Sequence, residues 1–239
     1  MIDGTDIRDE KSWWYQHLAK QAVANFRRRN MNAQYVPTRE EALNKVLELI
    51  PEGATVGCGD SITMYQVGVL SRLHEKKRNL ILDPFERDGE GELLVTGEER
   101  LALMRKAMMA DVFLTGVNAI AADGKLVSTD ATGNRVAPAI FGPKRVIIAA
   151  GANKIVRNLD EALKRIKEVA APINAWRHTT KHKMDCFADL PCVRTGACTD
   201  CHHPERICRY TIIIEGERES VKGYTPRIHL IIIGEELGI

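Results

Sequence analysis

Val112-Phe113-Leu114, Val146-Ile147-Ile148-Ala149-Ala150 and Leu230-Ile231-Ile232-Ile233 are apolar without a break. A strand with water on one side alternates apolar and polar residues. An unbroken run needs cover on both faces, which points to a parallel sheet between two layers. The segments between the runs have helical period. Trp14, Leu18, Ala22 and Phe26 recur every four residues, and Ala42, Leu43, Val46, Leu47 and Ile50 form a stripe behind the capping box Thr38-Arg39-Glu40-Glu41. Further helices are expected from Ile62 to Leu73, from Glu98 to Met109 and from Leu159 to Val169, the last capped by Asn158. Shorter strands are expected at Ala33–Val36, Ala54–Cys58, Asn79–Asp83 and Tyr210–Glu215. Asp123-Gly124 marks a hairpin between Ala119–Ala121 and Lys125–Val127. The fold class is therefore α/β, a mostly parallel sheet flanked by helices. Ligands of such sheets sit beyond the carboxyl ends of the strands, so the loops after Val56, Leu82, Leu114, Val127 and Ala149 are where chemistry is expected.

The chain has 239 residues, 44% hydrophobic and 28% charged, which excludes a disordered polymer. Lys and Arg number 34 against 32 Asp and Glu, a net charge of +2, which gives no support to nucleic-acid binding. Arg27-Arg28-Arg29 reads as a solvated, dipole-compatible helix end. No apolar run approaches the ~18–20 residues of a membrane helix. The first residues lack the basic and apolar regions of a secretion signal, so the cytoplasm is the expected compartment. The expected organisation is an N-terminal helix (1–30), an α/β core (31–175), a Cys-rich segment (176–209) and C-terminal strands completing the core (210–239).

Gly57-Cys58-Gly59-Asp60-Ser61-Ile62-Thr63 leaves a strand and opens a helix. Its glycines, the Ser61 and Thr63 hydroxyls and the free N–H groups of the helix start suit an anion, and equally an ordinary capped βα turn. Asp83 follows where a dinucleotide site has its acid, but Ile62 stands at the third glycine position, so NAD is not supported. Three more loops gather small and polar residues: Thr115-Gly116-Val117-Asn118, Ser128 to Arg135 with Gly133 and Asn134, and Gly151 to Lys154. Arg135 and Lys154 can neutralise a small anionic substrate, and Asp130 can act as base or acceptor. Asp130, Asn118, Arg135 and Lys154 are the catalytic candidates. Gly57, Gly59, Ser61, Thr63, Thr115, Gly116, Asn118, Gly133, Asn134 and Arg135 are the ligand-binding candidates.

Five of the six cysteines fall within residues 186–208. In a reducing compartment clustered thiols favour a metal over disulfides. Cys192, Cys198, Cys201 and Cys208 form the best shell, with Cys186 as a spare and His202 or His203 as substitutes. Zinc and an iron–sulfur cluster are both open, as is a set of reduced thiols. Cys58 reads as a small filler.

The stretch Ala110 to Ile120, with Asp123 to Val127, Asp130 to Val136, Phe141 to Ile147, Gly151 to Val156 and the Gly57–Thr63 loop, resembles the LUD domain family, also called DUF162, which includes the lactate-utilisation protein C group. The resemblance covers most of the chain from about residue 10. It implies a fold similar to ribose-5-phosphate isomerase, glucosamine-6-phosphate deaminase and the CoA transferases. It also implies an oxidoreductase component of L-lactate oxidation to pyruvate that acts with iron–sulfur partner proteins, which tilts the Cys segment towards an iron–sulfur cluster. Sugar-phosphate isomerases of this fold carry acids in the loop that here reads Gly116-Val117-Asn118-Ala119, so isomerisation is not expected. Two other readings stand beside this one. One is an enzyme for a sugar phosphate, CoA ester or nucleotide with structural zinc; the other is a non-catalytic assembly subunit, docked through its N-terminal helix or self-associating.

Overall fold

The computed structural model describes residues 4–220 and 224–239. Residues 1–3 of the expected N-terminal segment and 221–223 of the expected C-terminal one lie outside the described residues. The chain runs through helix α1 (Arg8–Arg28), strand β1 (Asn32–Val36), α2 (Arg39–Glu48), β2 (Thr55–Cys58), α3 (Ile62–Val67), α4 (Val69–Lys76) and β3 (Leu80–Leu82). Next come α5 (Gly97–Ala107), β4 (Val112–Thr115), β5 (Ala119–Ala121), β6 (Lys125–Asp130), α6 (Val136–Ile140), β7 (Arg145–Gly151), β8 (Ile155–Val156) and α7 (Leu159–Arg165). The last part holds α8 (Ala171–Lys181), α9 (Pro191–Thr195), β9 (Tyr210–Ile214) and β10 (Ile228–Ile233).

Six strands make an all-parallel sheet in the order β1-β10-β7-β4-β2-β3. Its unbroken apolar runs divide by alternation, as two buried faces require. Val112, Leu114, Ile147, Ala149, Ile231 and Ile233 face a core shared with α2, α3 and α4. Val146, Ile148, Ala150, Leu230 and Ile232 face the other side, against Ala19, Ala22, Val23 and Phe26 of α1. There the cover is completed by a second sheet, β8-β5-β6-β9, whose β5–β6 and β6–β9 pairs are antiparallel. The Asp123-Gly124 hairpin is formed, with Gly124 at φ +99°, where a side chain would be strained. The outer face of this small sheet packs on α7.

The structure departs from the sequence expectations at four places. The helix expected from Ile62 to Leu73 is two, α3 and α4, because Gly68 turns left-handed at φ 81° and closes the first. Trp14, expected on the buried stripe of α1, is 52% exposed, and burial begins at Ala19. The Arg27–Arg29 run is more than a solvated end. Arg27 Nε donates to Ala33 O (2.8 Å), while Arg29 reaches Asp123 O in the hairpin (3.1 Å) and Glu215 O after β9 (2.9 Å). Helical structure also does not end near Pro172: a π-turn over Ile166–Ala170 widens the ladder just before the proline, and α8 continues to Lys181. No helix among the described residues is long and apolar enough to cross a membrane.

Candidate functional site

The carboxyl ends of the parallel strands open onto one cleft of ≈ 230 Å³. After β2 come Asp60, Ser61 and Ile62; after β3, Phe85; after β4, Gly116, Val117 and Asn118; after β7, Lys154; and after β10, Ile239. The end of β6 and its following loop add Thr129 to Thr132, Asn134 and Arg135, and α8 closes the far side with Ala171, Asn174 and His178. A wider hollow of ≈ 580 Å³ lies beside Arg27, Asn32, Ala33 and His229, at the amino ends of β1 and β10. Parallel sheets do not present their ligand loops at that end.

Each side chain is set by its element. Ser61 caps α3, its Oγ accepting from Met64 N at 3.3 Å, and is buried. Asn118 Oδ1 accepts from Thr129 N (2.8 Å), which locks the loop after β4 to β6. Asp130 is buried; its carboxylate accepts from Ala131 N (2.9 Å) and Arg135 N (3.0 Å), and its Oδ1 stands 3.4 Å from Arg135 Nε. Arg135 Nη2 donates to Thr129 O at 2.9 Å. The guanidinium is thus braced at the cleft wall rather than free to swing. Arg100 lines the same wall, stacked 5.0 Å over the Phe85 ring, with Nε on Pro84 O (2.8 Å).

Lys154 sits in a short 3₁₀ turn after β7 and is buried. Its Nζ donates to Thr63 Oγ1 (3.3 Å) and Val117 O (3.2 Å). Burial, then Arg165 and Arg135, depress the amine to about 7. Arg165 itself donates to Asn118 O (2.6 Å). Asp83 follows β3, is buried and, mainly through burial, is pushed up to about 6. Burial also raises the Cys58 thiol, and the side chain is core, a small filler.

Of the sequence candidates, the cleft brings together Ser61, Gly116, Asn118, Asp130, Asn134, Arg135 and Lys154. Gly57, Gly59, Thr63, Thr115 and Gly133 are not on its wall. Thr63 stands behind it as the partner of Lys154. A Cβ on Gly57 would strike the carbonyl of Ala107, and one on Gly59 would press on Thr115 and the Phe113 ring, so packing within the protein accounts for both glycines. Thr115 is core, and Gly133 turns left-handed at φ +95°. The sequence reasoning missed the α8 face. His178 is half-buried, is held down to about 4 by desolvation and by His182, and leaves Nδ1 without a hydrogen-bond partner within the protein. Its ring lies 5.1 Å from His182 and 5.3 Å from Phe187. The Asn174-x3-His178-x3-His182 spacing was the available signal.

A second cavity, ≈ 90 Å³, adjoins the cleft and shares Thr129, Ala171 and Ile207 with it. Cys192, Cys198, Cys201 and Cys208 all line it; Cys186, His202 and His203 do not. Arg206 ties the segment together, donating to Cys201 O (2.6 Å) and to Cys208 O (3.1 and 2.7 Å). Burial and the neighbouring Cys201 and Cys208 push the Cys192 thiol up. Among the described residues no three Cys, His, Asp or Glu side chains approach one point closely enough to hold a single ion. All six cysteines are free thiols.

The sequence model of the LUD domain matches residues 19–235. Among solved structures, a DUF162 family protein from Deinococcus radiodurans is similar at 14% identity and a TM-score of 0.46, over 93% of this chain and 97% of that one. The eIF2B delta subunit from Chaetomium thermophilum is similar at 17% identity and a TM-score of 0.33, over 63% of this chain and 55% of that one. No curated protein matches significantly.

Proposed function

The chain belongs to the LUD domain family, and on that premise we propose that it is a cytoplasmic redox component of 2-hydroxy acid metabolism, binding L-lactate or its product pyruvate in the cleft. One observation carries the reading: a braced arginine, a second arginine and a buried lysine meet amide side chains at the carboxyl ends of a parallel sheet. A fixed guanidinium suits a carboxylate in two-point contact, and Asn118, Asn134 and Asn174 offer donors and acceptors to an adjacent hydroxyl or carbonyl. Thermal-shift titration tests this with L-lactate, pyruvate, inorganic phosphate, a sugar phosphate and a CoA ester. Stabilisation by the two small acids, lost in Arg135→Ala, is the expected result. Stabilisation by the phosphate compounds alone would overturn it in favour of the sugar-phosphate or CoA reading.

The four-cysteine cavity is the proposed seat of an iron–sulfur cluster that exchanges electrons with iron–sulfur partner proteins. The donor set supports this, being four thiols that line one small cavity. A [4Fe–4S] cluster takes one thiolate per iron, whereas a structural zinc takes four Cys or His ligands on a single centre. When bound, the cluster would supply one-electron transfer. The chain's own part is to hold the four thiols in place through Arg206 and to keep them beside the cleft wall at Thr129, Ala171 and Ile207. Elemental analysis and visible absorbance of anaerobically prepared protein decide the matter: iron and sulfide with a brown chromophore are expected, and zinc alone or titratable metal-free thiols would refute it.

A further inference from the structure

We propose that Lys154 captures a 2-oxo carboxylate in the cleft as a reversible imine. The proposal rests on the cleft being a carboxylate site, and it assigns the reactive atom. Lys154 Nζ is buried at the cleft wall without a carboxylate partner; the charged groups acting on it, Arg165 and Arg135, are both cations. Its hydrogen-bond count fits a neutral amine. Two acceptors are in reach, Thr63 Oγ1 and Val117 O, and a neutral amine has two hydrogens. The lone pair is left over, whereas an ammonium would bury a third donor with nothing to receive it. Gly238 presses on the other side. A Cβ there would collide with both Thr63 Oγ1 and Nζ, so the amine has no room to retreat from the cleft. Desolvation beside other cations is the environment in which a lysine becomes a nucleophile towards carbonyl carbon. The depressed basicity of the amine agrees with this.

The step balances without an oxidant. Nζ attacks the 2-oxo carbon of the acid held by Arg135. The carbonyl oxygen takes up protons and leaves as water, and nitrogen loses its two hydrogens to give the C=N bond. The Thr63 hydroxyl, 3.3 Å from Nζ, can pass one of those protons. A 2-hydroxy acid has no such carbon and cannot react, so the site separates the oxidised from the reduced member of the pair by covalency.

The test incubates the full-length protein near pH 7 with pyruvate and cyanoborohydride and maps the modified lysines by peptide mass spectrometry. L-Lactate serves as the carbonyl-free control and Lys154→Arg as the variant. A saturable reduced adduct on Lys154 is expected, absent with L-lactate and in the variant, with exposed Lys45 and Lys144 unlabelled at the same concentration. No adduct on Lys154, or labelling spread over the exposed lysines, overturns the imine. Mapping in the wild-type chain keeps the answer independent of how the variant folds. Thermal shift by pyruvate separates the two ideas. A shift lost in Arg135→Ala with no adduct overturns the imine and leaves the carboxylate cleft standing. An adduct formed equally in wild type and Arg135→Ala supports the imine and overturns the guanidinium grip.

Discussion

Two buried ionisable groups near the cleft pull stability in opposite directions with pH. The Lys154 amine is depressed from 10.5 to about 7. Below pH 7 folded and unfolded chains both hold its proton, and the fold bears the full cost of burying the charge. Between about 7 and 10.5 the unfolded chain keeps a proton that the folded one has released, so stability rises with pH. Against Lys154→Met, whose side chain of similar length carries no charge, wild type should gain up to about 5 kcal/mol between pH 6 and pH 10.5. Paired urea melts measure this, and a constant difference would contradict it. Asp83 is raised from 3.8 to about 6. Below 3.8 both states are protonated and the carboxyl costs nothing; that advantage is lost as pH rises through 6. Its Oδ1 accepts from Phe85 N at 2.9 Å, a bond that an asparagine oxygen retains. Asp83→Asn should therefore match wild type at pH 3.5 and exceed it by about 2–3 kcal/mol at pH 8. An Asn variant less stable than wild type at pH 8 would refute the cost assigned to the buried charge.

At the scale of elements, glycine has two different uses around the cleft, and substitution distinguishes them. Gly68 separates α3 from α4 at φ +81° with open space where a Cβ would go, so Gly68→Ala costs only backbone strain, about 1 kcal/mol. Gly57 lies in β2 against the Ala107 carbonyl, where a methyl forces α5 off the sheet. Gly57→Ala should cost at least about 2–3 kcal/mol by thermal or denaturant melts. Equal costs would mean that α5 yields easily. Both glycines were visible in the sequence, but their uses were not: a glycine after a strand looks the same whether it admits a ligand or the next helix. The same limit hid α8. Proline reads as a stop, yet a π-turn over Ile166–Ala170 precedes Pro172 and the helix runs on as α8. A helix expected only as far as Val169 does not reach Asn174 and His178, which α8 brings to the cleft. The strand-end loops needed no such context. Asn118 and Lys154 follow apolar runs of the parallel sheet, while Asp130 and Arg135 stand at the end of the antiparallel strand β6, and the fold places all four on one cleft wall.

For the whole molecule, the order β1-β10-β7-β4-β2-β3 contains one fact that pattern could not supply. Leu230-Ile231-Ile232-Ile233 announces a strand buried on both faces, but not that it enters between the first strand and β7. Asn32 pairs with His229 and Ile228 with Val146, so β1 meets the sheet only through β10. Helix α1 packs largely on that same pair, with Ala33, Leu230 and Ile232 in its core. Nearly the entire chain must therefore be present before its first two elements have a place, an entropic cost of high sequence separation. Without β10, β7 becomes an open edge carrying Val146 and Ile148, and β1 loses its ladder altogether. A chain cut before Ile228 should consequently lose more than a terminal strand. We expect it to aggregate or to give a non-cooperative melt, with α1 and β1 exchanging amide hydrogens at the rate of an unfolded chain, while the intact chain protects β10, β7 and β4 most strongly. The β10 segment added back as a separate peptide should restore protection in β1 as well as in β7. Protection returning to β7 alone would show that β1 has a second anchor, and the pairing of first and last strands would then not be what closes the fold.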